Sequence, residues 1–252
     1  MVHIFKPFFF WAAWWHKVAV YETKPNHAPN QRNCASNKAF KQMHFNLVML
    51  KIAVLGSTKG TDLQYIIDAI ESGKLKDVSI EVVLSNKSAA YILERAREHD
   101  IPAVWIDQKD KTREEFDREV MKLLDEKKVD LVVLIGYMRF LSKEFVEKWR
   151  WKVINVHPSL LPKFAGGMDR NVHEAVLKAG EKESGMTIHF VDEGADTGPI
   201  ILQKICSIGA EETPDTLKEK VQKLEGEGFV EVLKLFSEKK IHVSDGNVQI
   251  IK

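Results

Sequence analysis

Little in this 252-residue chain points to covalent or electrostatic scaffolding. Two cysteines, Cys34 and Cys206, are too few for a disulfide framework or a zinc cluster, so a reducing compartment is the default. Charge of one sign is lacking as well. The 37 basic and 36 acidic side chains leave a net charge of +1, which advertises neither nucleic acid nor an anionic membrane as a partner, so any anionic ligand must be held locally. No apolar run is long enough to cross a bilayer as a typical helix. Internal repeats and low-complexity tracts are missing, as are a Walker A string and a GxGxxG fingerprint. What is present is 44% hydrophobic and 29% charged residues, the composition of one ordinary soluble domain with a sizeable core.

Residues 1–48 differ in character from the rest. Phe8 to Trp15 is strongly apolar, Lys24 to Lys41 is polar and carries Pro25 and Pro29, and Glu22 is the only acid. These features read as a disordered or non-native leader before a start at Met43 or Met49, with 49–252 as the folded domain. Location is then cytoplasmic, with organellar import as the alternative if the leader is a transit peptide.

From Leu50 the chain alternates short apolar runs with helical stripes. Ile52 to Leu55, Ile80 to Leu84, Ala103 to Ile106, Leu131 to Ile135 and Val153 to Val156 read as strands buried on both faces. Thr61 to Ser72, with Thr and Asp in capping position, carries Leu63, Ile66, Ile67 and Ile70 on one stripe, and Thr112 to Lys127 carries Phe116, Val120, Leu123 and Leu124. Right-handed crossovers then build a doubly wound, mostly parallel α/β sheet, whose ligands sit at the carboxyl ends of its strands. Two later extended runs, Met186 to Val191 and Ile200 to Ile208, are joined by a turn-rich loop and followed by a long helix from Thr213 to Lys239.

Asn155-Val-His157-Pro158 ends the fifth predicted strand with two polar side chains on one face. The Asn155 amide can donate to developing negative charge, His157 can carry a proton near neutral pH, and Pro158 stops the strand. Asp196, in the Asp-Thr-Gly-Pro loop, can orient His157 and hold a water for proton transfer. Gly56 to Asp62, between the first strand and helix, offers free backbone N–H groups for a phosphate, with Lys59 adding charge. Met138, Phe140 and Leu141 offer an apolar slot with Arg139 as its charged lip. A structural explanation exists for each alone: a satisfied polar pair, a turn aspartate, a plain glycine turn, ordinary helix-start packing.

Taken together, Asn155 to Phe164, Ile188 to Gln203 and Gly136 to Ser142 resemble the phosphoribosylglycinamide formyltransferase family of folate-dependent formyl transferases, over about Lys51 to Val243. The resemblance implies a Rossmann-like formyltransferase fold with an antiparallel C-terminal extension of the sheet and a long C-terminal helix. It implies Asn155, His157 and Asp196 as catalytic residues. Gly60, Thr61, Asp62, Gln222, Glu225 and His173 would hold the ribonucleotide substrate. Met138, Arg139, Phe140, Leu141 and Val191 would hold 10-formyltetrahydrofolate, with backbone groups of the Val191 to Asp196 loop meeting the pterin. The partners implied are these small molecules, with no metal. Direct attack of the substrate amine on the formyl carbon would give a tetrahedral intermediate whose oxyanion meets His157 and Asn155, with Asp196 assisting proton transfer.

The chain departs from the family pattern at several points. Thr58 replaces the first glycine of the phosphate loop and Asp62 stands where Asn is expected, so a carboxylate faces a phosphate unless Lys59 compensates. Phe164 to His173 is slightly longer than the commonest form, and Gly226 sits where the family often has His. A related tRNA formyltransferase would carry an additional C-terminal domain and a formyltetrahydrofolate hydrolase an N-terminal regulatory one; length disfavours both. A non-catalytic nucleotide-binding relative is the remaining alternative.

Overall fold

The computed structural model describes residues 49–167 and 170–251, and the expected leader over 1–48 lies outside them. In chain order the elements are β1 (Leu50–Gly56), α1 (Thr61–Glu71), β2 (Val78–Ser85), α2 (Tyr91–Glu98), β3 (Ala103–Trp105), α3 (Arg113–Glu126), β4 (Leu131–Ile135) and α4 (Lys143–Lys148). Then come β5 (Val153–His157), α5 (Arg170–Lys178), β6 (Glu183–Phe190), β7 (Ile200–Ser207), α6 (Pro214–Ser237), β8 (Ile241–Ser244) and β9 (Asn247–Ile250). The main sheet has the order β3-β2-β1-β4-β5-β6-β7. Its first five strands run parallel, whereas β6 pairs antiparallel with β5 and β7 antiparallel with β6. This is the doubly wound sheet with an antiparallel extension that the alternating pattern and the family resemblance imply.

The inner strands β1 and β4 read as continuous apolar runs because both faces are covered, whereas β3, expected to be buried on both faces, is an edge strand with Ala103 and Val104 half-buried and Trp105 exposed. In β1, Ile52 and Val54 join a core under α1, α2 and α6, while Ala53 and Leu55 join a second core under α3 and α4. Side chains alternate along a strand, so each face of the sheet takes every second residue. Leu63, Ile66 and Ile67 form the buried stripe of α1, and Phe116, Val120 and Leu124 that of α3. Two caps fix helix starts: Thr112 and Glu115 form a capping box on α3, and Thr213 with Thr216 forms one on α6, where Pro214 fits the first turn.

Some local features differ from expectation. Thr61 and Asp62 do not cap α1. Its N-cap is Gly60, with a φ of 65° and no side-chain cap bond. A Cβ there would stand 2.4 Å from Ile92 Cγ1, so both the backbone angle and the approach of α2 demand glycine. Helices α2, α4 and α5 and the β8–β9 hairpin add to the expected elements. α2 buries only Ile92, Leu93 and Ala96, and α4 is only 6 residues long; stripes that short do not register as periodic. The hairpin turns at Asp245-Gly246, both with positive φ, a turn signature present in the sequence. No helix among the described residues is long and apolar enough to cross a membrane.

Candidate active site

The site lies where the winding of the sheet reverses. β1 and β4 are neighbours, yet the chain leaves β1 towards β2 and leaves β4 towards β5, so the loops after them diverge and open a crevice. Hydrogen bonds tie these loops together. Ser57 N donates to the Gly136 carbonyl at 3.1 Å, Met138 N donates to Ser57 Oγ at 2.9 Å, and Ser57 Oγ donates to Asn86 Oδ1 at 2.6 Å. Thr58 fits in place of a glycine because Gly136 faces it: a Cβ at Gly136 would lie 2.5 Å from Thr58 Oγ1.

Asn155 and His157 stand at the carboxyl end of β5, next in the sheet to β4. The turn beyond Pro158 is locked against the antiparallel strands. Thr187 Oγ1 donates to the Ser159 carbonyl at 2.7 Å and accepts from Leu161 N at 3.1 Å, and Gln203 Nε2 donates to the Leu161 carbonyl at 3.0 Å. Asp196, in the loop between β6 and β7, reaches back to this point. Its Oδ2 lies 3.0 Å from His157 Nδ1 and accepts from Gly166 N at 2.9 Å, and its Oδ1 lies 3.5 Å from Asn155 Nδ2. Asn155 and His157 from β5 therefore meet around the carboxylate of Asp196, which comes from a distant loop.

The His157 ring is 2% exposed, and both its nitrogens face acceptors. Nδ1 faces Asp196, and Nε2 lies 2.9 Å from the Phe164 carbonyl. Only the doubly protonated imidazolium can donate to both at once. The sequence suggests a ring free to meet the substrate; the structure instead has Phe164, at a φ of 61°, holding the second N–H. Burial works to raise the Asp196 pKa, but His157, His189 and the Gly166 N–H more than offset it and hold the carboxyl well below the usual range.

His189, which sequence reasoning missed, completes the group. It lies opposite Asn155 in the β5–β6 register and is 2% exposed. Its Nδ1 donates to the Phe190 carbonyl at 2.8 Å, so in the neutral ring Nε2 is left to accept from Asn155 Nδ2 at 3.2 Å. Nε2 is also 3.5 Å from Asp196 Oδ1. The only sequence signal is a histidine in a strand of mixed polar and apolar residues, Glu183–Phe190, which identifies nothing until the pairing is known.

The residues expected to hold the ribonucleotide cluster on α1, α5 and α6. Gly60, Thr61 and Asp62 form the start of α1; Gln222 and Glu225 lie on α6, with Glu225 buried, and His173 is buried on α5. α6 packs on α1 with Gly226 against the Tyr65 ring: a Cβ at Gly226 would fall 2.3 Å from Tyr65 Cγ. Tyr65 therefore fills the volume that a histidine at position 226 would need. Asp62 is 6% exposed, its Oδ1 has no hydrogen-bond partner, and burial pushes its pKa up to about 7. Lys59, expected to compensate that carboxylate, is exposed.

Among the expected folate contacts, Met138 and Phe140 are 37% and 64% exposed, and Leu141 and Val191 are half-buried at the edge of the core under α3 and α4. Arg139 is held in place, its guanidinium 4.2 Å from the Phe116 ring centroid and its Nη1 donating to Gln108 Oε1 at 2.7 Å.

Comparison with known proteins gives concordant results. The family model described as formyl transferase matches residues 50–233. A phosphoribosylglycinamide formyltransferase of Haemophilus influenzae is 39% identical over 198 residues, covering 78% of this chain and 92% of that protein. The trifunctional purine biosynthetic protein adenosine-3 of Drosophila melanogaster is 43% identical over 185 residues, or 73% of this chain, which spans only 14% of that longer protein. Among solved structures, glycinamide ribonucleotide transformylase 1 from Symbiobacterium toebii superposes with a TM-score of 0.77 at 35% identity, covering 81% of this chain and 95% of that one.

Proposed function

The chain belongs to the formyl transferase family, and from that premise we propose that it transfers the formyl group of 10-formyltetrahydrofolate to the amine of 5'-phosphoribosylglycinamide in de novo purine synthesis. One observation carries the reading: a buried histidine and an amide at the end of β5 meet a carboxylate from the distant β6–β7 loop, at 3.0 and 3.5 Å, beside the switch point of the sheet.

The amine attacks the formyl carbon directly, and the carbonyl oxygen gains negative charge. Asn155 Nδ2 turns one of its two N–H groups to that oxygen, giving up the 3.5 Å contact with Asp196 Oδ1, while the other stays on His189 Nε2. His157 supplies a positive charge beside it and donates through Nε2 once the substrate oxygen replaces the Phe164 carbonyl as acceptor. Asp196 has a depressed pKa, which makes lasting protonation of the carboxylate unfavourable. Its part is to hold the ring charged and to orient a water through which a proton passes from the attacking amine to the leaving nitrogen. No acyl-enzyme is formed.

The substrate phosphate takes the backbone N–H groups at the start of α1, where the helix dipole favours an anion. Asp62 is compatible with that charge because burial keeps it protonated to about pH 7, and a neutral carboxyl donates to a phosphate instead of repelling it. Gln222 and Glu225 on α6 meet the ribose side and His173 lies behind them. The residues present also suit a folate. Exposed Met138 and Phe140 with half-buried Leu141 and Val191 give apolar walls for a flat ring, and the loop after Val191 gives backbone donors and acceptors.

The direct test is formyl transfer from 10-formyltetrahydrofolate to phosphoribosylglycinamide by the purified chain, with formate release measured alongside. Transfer without formate release is expected. Formate release without transfer would replace the reading by a hydrolase, and neither product by a non-catalytic binding protein.

A further inference from the structure

The Tyr65 ring lies between α1 and α6, the two helices that carry most of the expected ribonucleotide residues. It stands one turn after Thr61, so Asp62 and Thr61 occupy the positions three and four before it, and an aromatic side chain on a helix leans back over that face towards the N-terminus. α6 meets the ring at its root. A Cβ on Gly226 would stand 2.3, 2.4 and 2.8 Å from Tyr65 Cγ, Cδ2 and Cδ1, so the hydroxyl end projects beyond this contact, towards the start of α1. The side chain is half-buried against the core, and its hydroxyl bonds to no described residue. Asp62, on the same face, is 6% exposed with Oδ1 unpartnered, which independently marks the helix start as a place where a ligand completes the bonding. Lys59, the cation of the loop before it, is exposed.

Packing against Gly226 asks only for a flat ring, which phenylalanine would supply equally well; the hydroxyl is surplus to it. We propose that Tyr65 is a substrate-binding residue, its hydroxyl donating to the phosphate of the ribonucleotide beside the Asp62 carboxyl and the backbone N–H groups of α1. The inference deepens the formyl-transfer reading and rests on it. Where the family often has a histidine on α6, at position 226, this chain has glycine, and the space admits a donor that arrives from α1 instead. A phosphate oxygen accepts several hydrogen bonds, and a phenol O–H to such an anion is of the stronger, charge-assisted kind. The phosphate takes no part in the bond changes at the amine, so losing this contact weakens binding and leaves the chemical step alone.

The experiment measures steady-state kinetics of wild type and Tyr65→Phe, a variant that keeps the ring against Gly226 and removes only the hydroxyl. Phosphoribosylglycinamide and the formyl donor are varied in turn, with inorganic phosphate and the unphosphorylated glycinamide riboside as competing inhibitors. In Tyr65→Phe the KM for the ribonucleotide and the inhibition constant of inorganic phosphate should rise together, by about 10- to 100-fold, as expected for a lost hydrogen bond to a charged group. The kcat and the KM for 10-formyltetrahydrofolate should stay as in wild type, and the riboside should inhibit both proteins alike. A purely structural tyrosine would produce no such split between phosphate and riboside. An unchanged KM for the ribonucleotide, with turnover intact, overturns the inference and leaves the reaction standing. So does a weakening that the riboside shares, which would move the hydroxyl to the ribose. A wild-type chain that transfers no formyl group removes the reading underneath and this inference with it.

Discussion

Replacing Asp62 by Asn should make this protein more stable at alkaline pH, by an amount that grows as the pH rises. Asp62 is 6% exposed with an unpartnered Oδ1, and burial lifts its pKa from 3.8 to about 7. Below about pH 4 the carboxyl is protonated in the folded and unfolded chains alike, and no ionic cost arises. Between about pH 4 and 7 the unfolded chain loses the proton and the folded chain keeps it, so stability falls as pH rises; above about 7 the loss is complete. The whole shift corresponds to about 4 kcal/mol at 1.36 kcal/mol per unit, and the part between pH 5 and 8.5 to about 3 kcal/mol. Asn has the same shape and no proton to lose. Urea unfolding of both proteins at half-unit steps from pH 5 to 8.5 measures the difference, with unchanged m values as the control for compactness. Wild type should lose about 3 kcal/mol relative to Asp62→Asn across that range. A difference that stays level with pH would mean that Asp62 ionises like a surface carboxylate, and the neutral donor to the phosphate would go with it. In that event the Lys59 ammonium would have to carry the compensation.

His157→Ala and Asp196→Ala should each lower turnover by about 10²- to 10³-fold with folding intact, read from steady-state kinetics beside circular dichroism; near-normal turnover in either removes it from the chemistry. His189→Asn should lower kcat by about 10- to 100-fold with little change in KM, because Asn155 loses the acceptor that aims its amide; a KM effect alone would make His189 a packing residue. Gly226→Ala should cost about 1–3 kcal/mol through the clash with Tyr65, and Tyr65→Ala in the same chain should recover much of it, a non-additivity that a double-mutant cycle on thermal unfolding detects. Because the Asp196 carboxyl is held below its usual range, its contribution to stability should be present above about pH 4 and lost as the pH falls further, so Asp196→Asn should flatten the acid limb of the stability profile.

The parallel sheet was legible in the sequence because continuous Val, Ile and Leu runs alternated with helical stripes, and the hand of the crossovers restricted how they could assemble. The polar pair Asn155 and His157 was legible because a strand ended abruptly in side chains that a core does not need. Asp196 was legible as a candidate partner of His157 but stood out only with the resemblance, since an aspartate in a turn-rich loop bonds to its own backbone more often than to a histidine far away in sequence. His189 and Phe164 were not legible at all. Each acts through a spatial neighbour: His189 through a cross-strand register and Phe164 through a carbonyl, which carries no side-chain signature. Short helices such as α4 were hidden because so few turns give no period to detect.

The departures from the family pattern have a common form, which bears on whether they signal lost catalysis. Each altered side chain meets a local answer: Thr58 lies against Gly136, Gly226 receives the Tyr65 ring, and Asp62 keeps its proton through burial. Here the paired positions sit on different segments, the loops after β1 and β4 in one case and helices α1 and α6 in the other, so the fit of one to the other is a property of the fold and not of local sequence. Restoring the family residue at one member alone should therefore damage the site: Gly226→His collides with Tyr65. Only the joint exchange preserves both packing and the ribonucleotide face of α6. With these departures accommodated by the packing, and His157 and Asn155 held 3.0 and 3.5 Å from Asp196, none of the three changes argues against the proposed transfer.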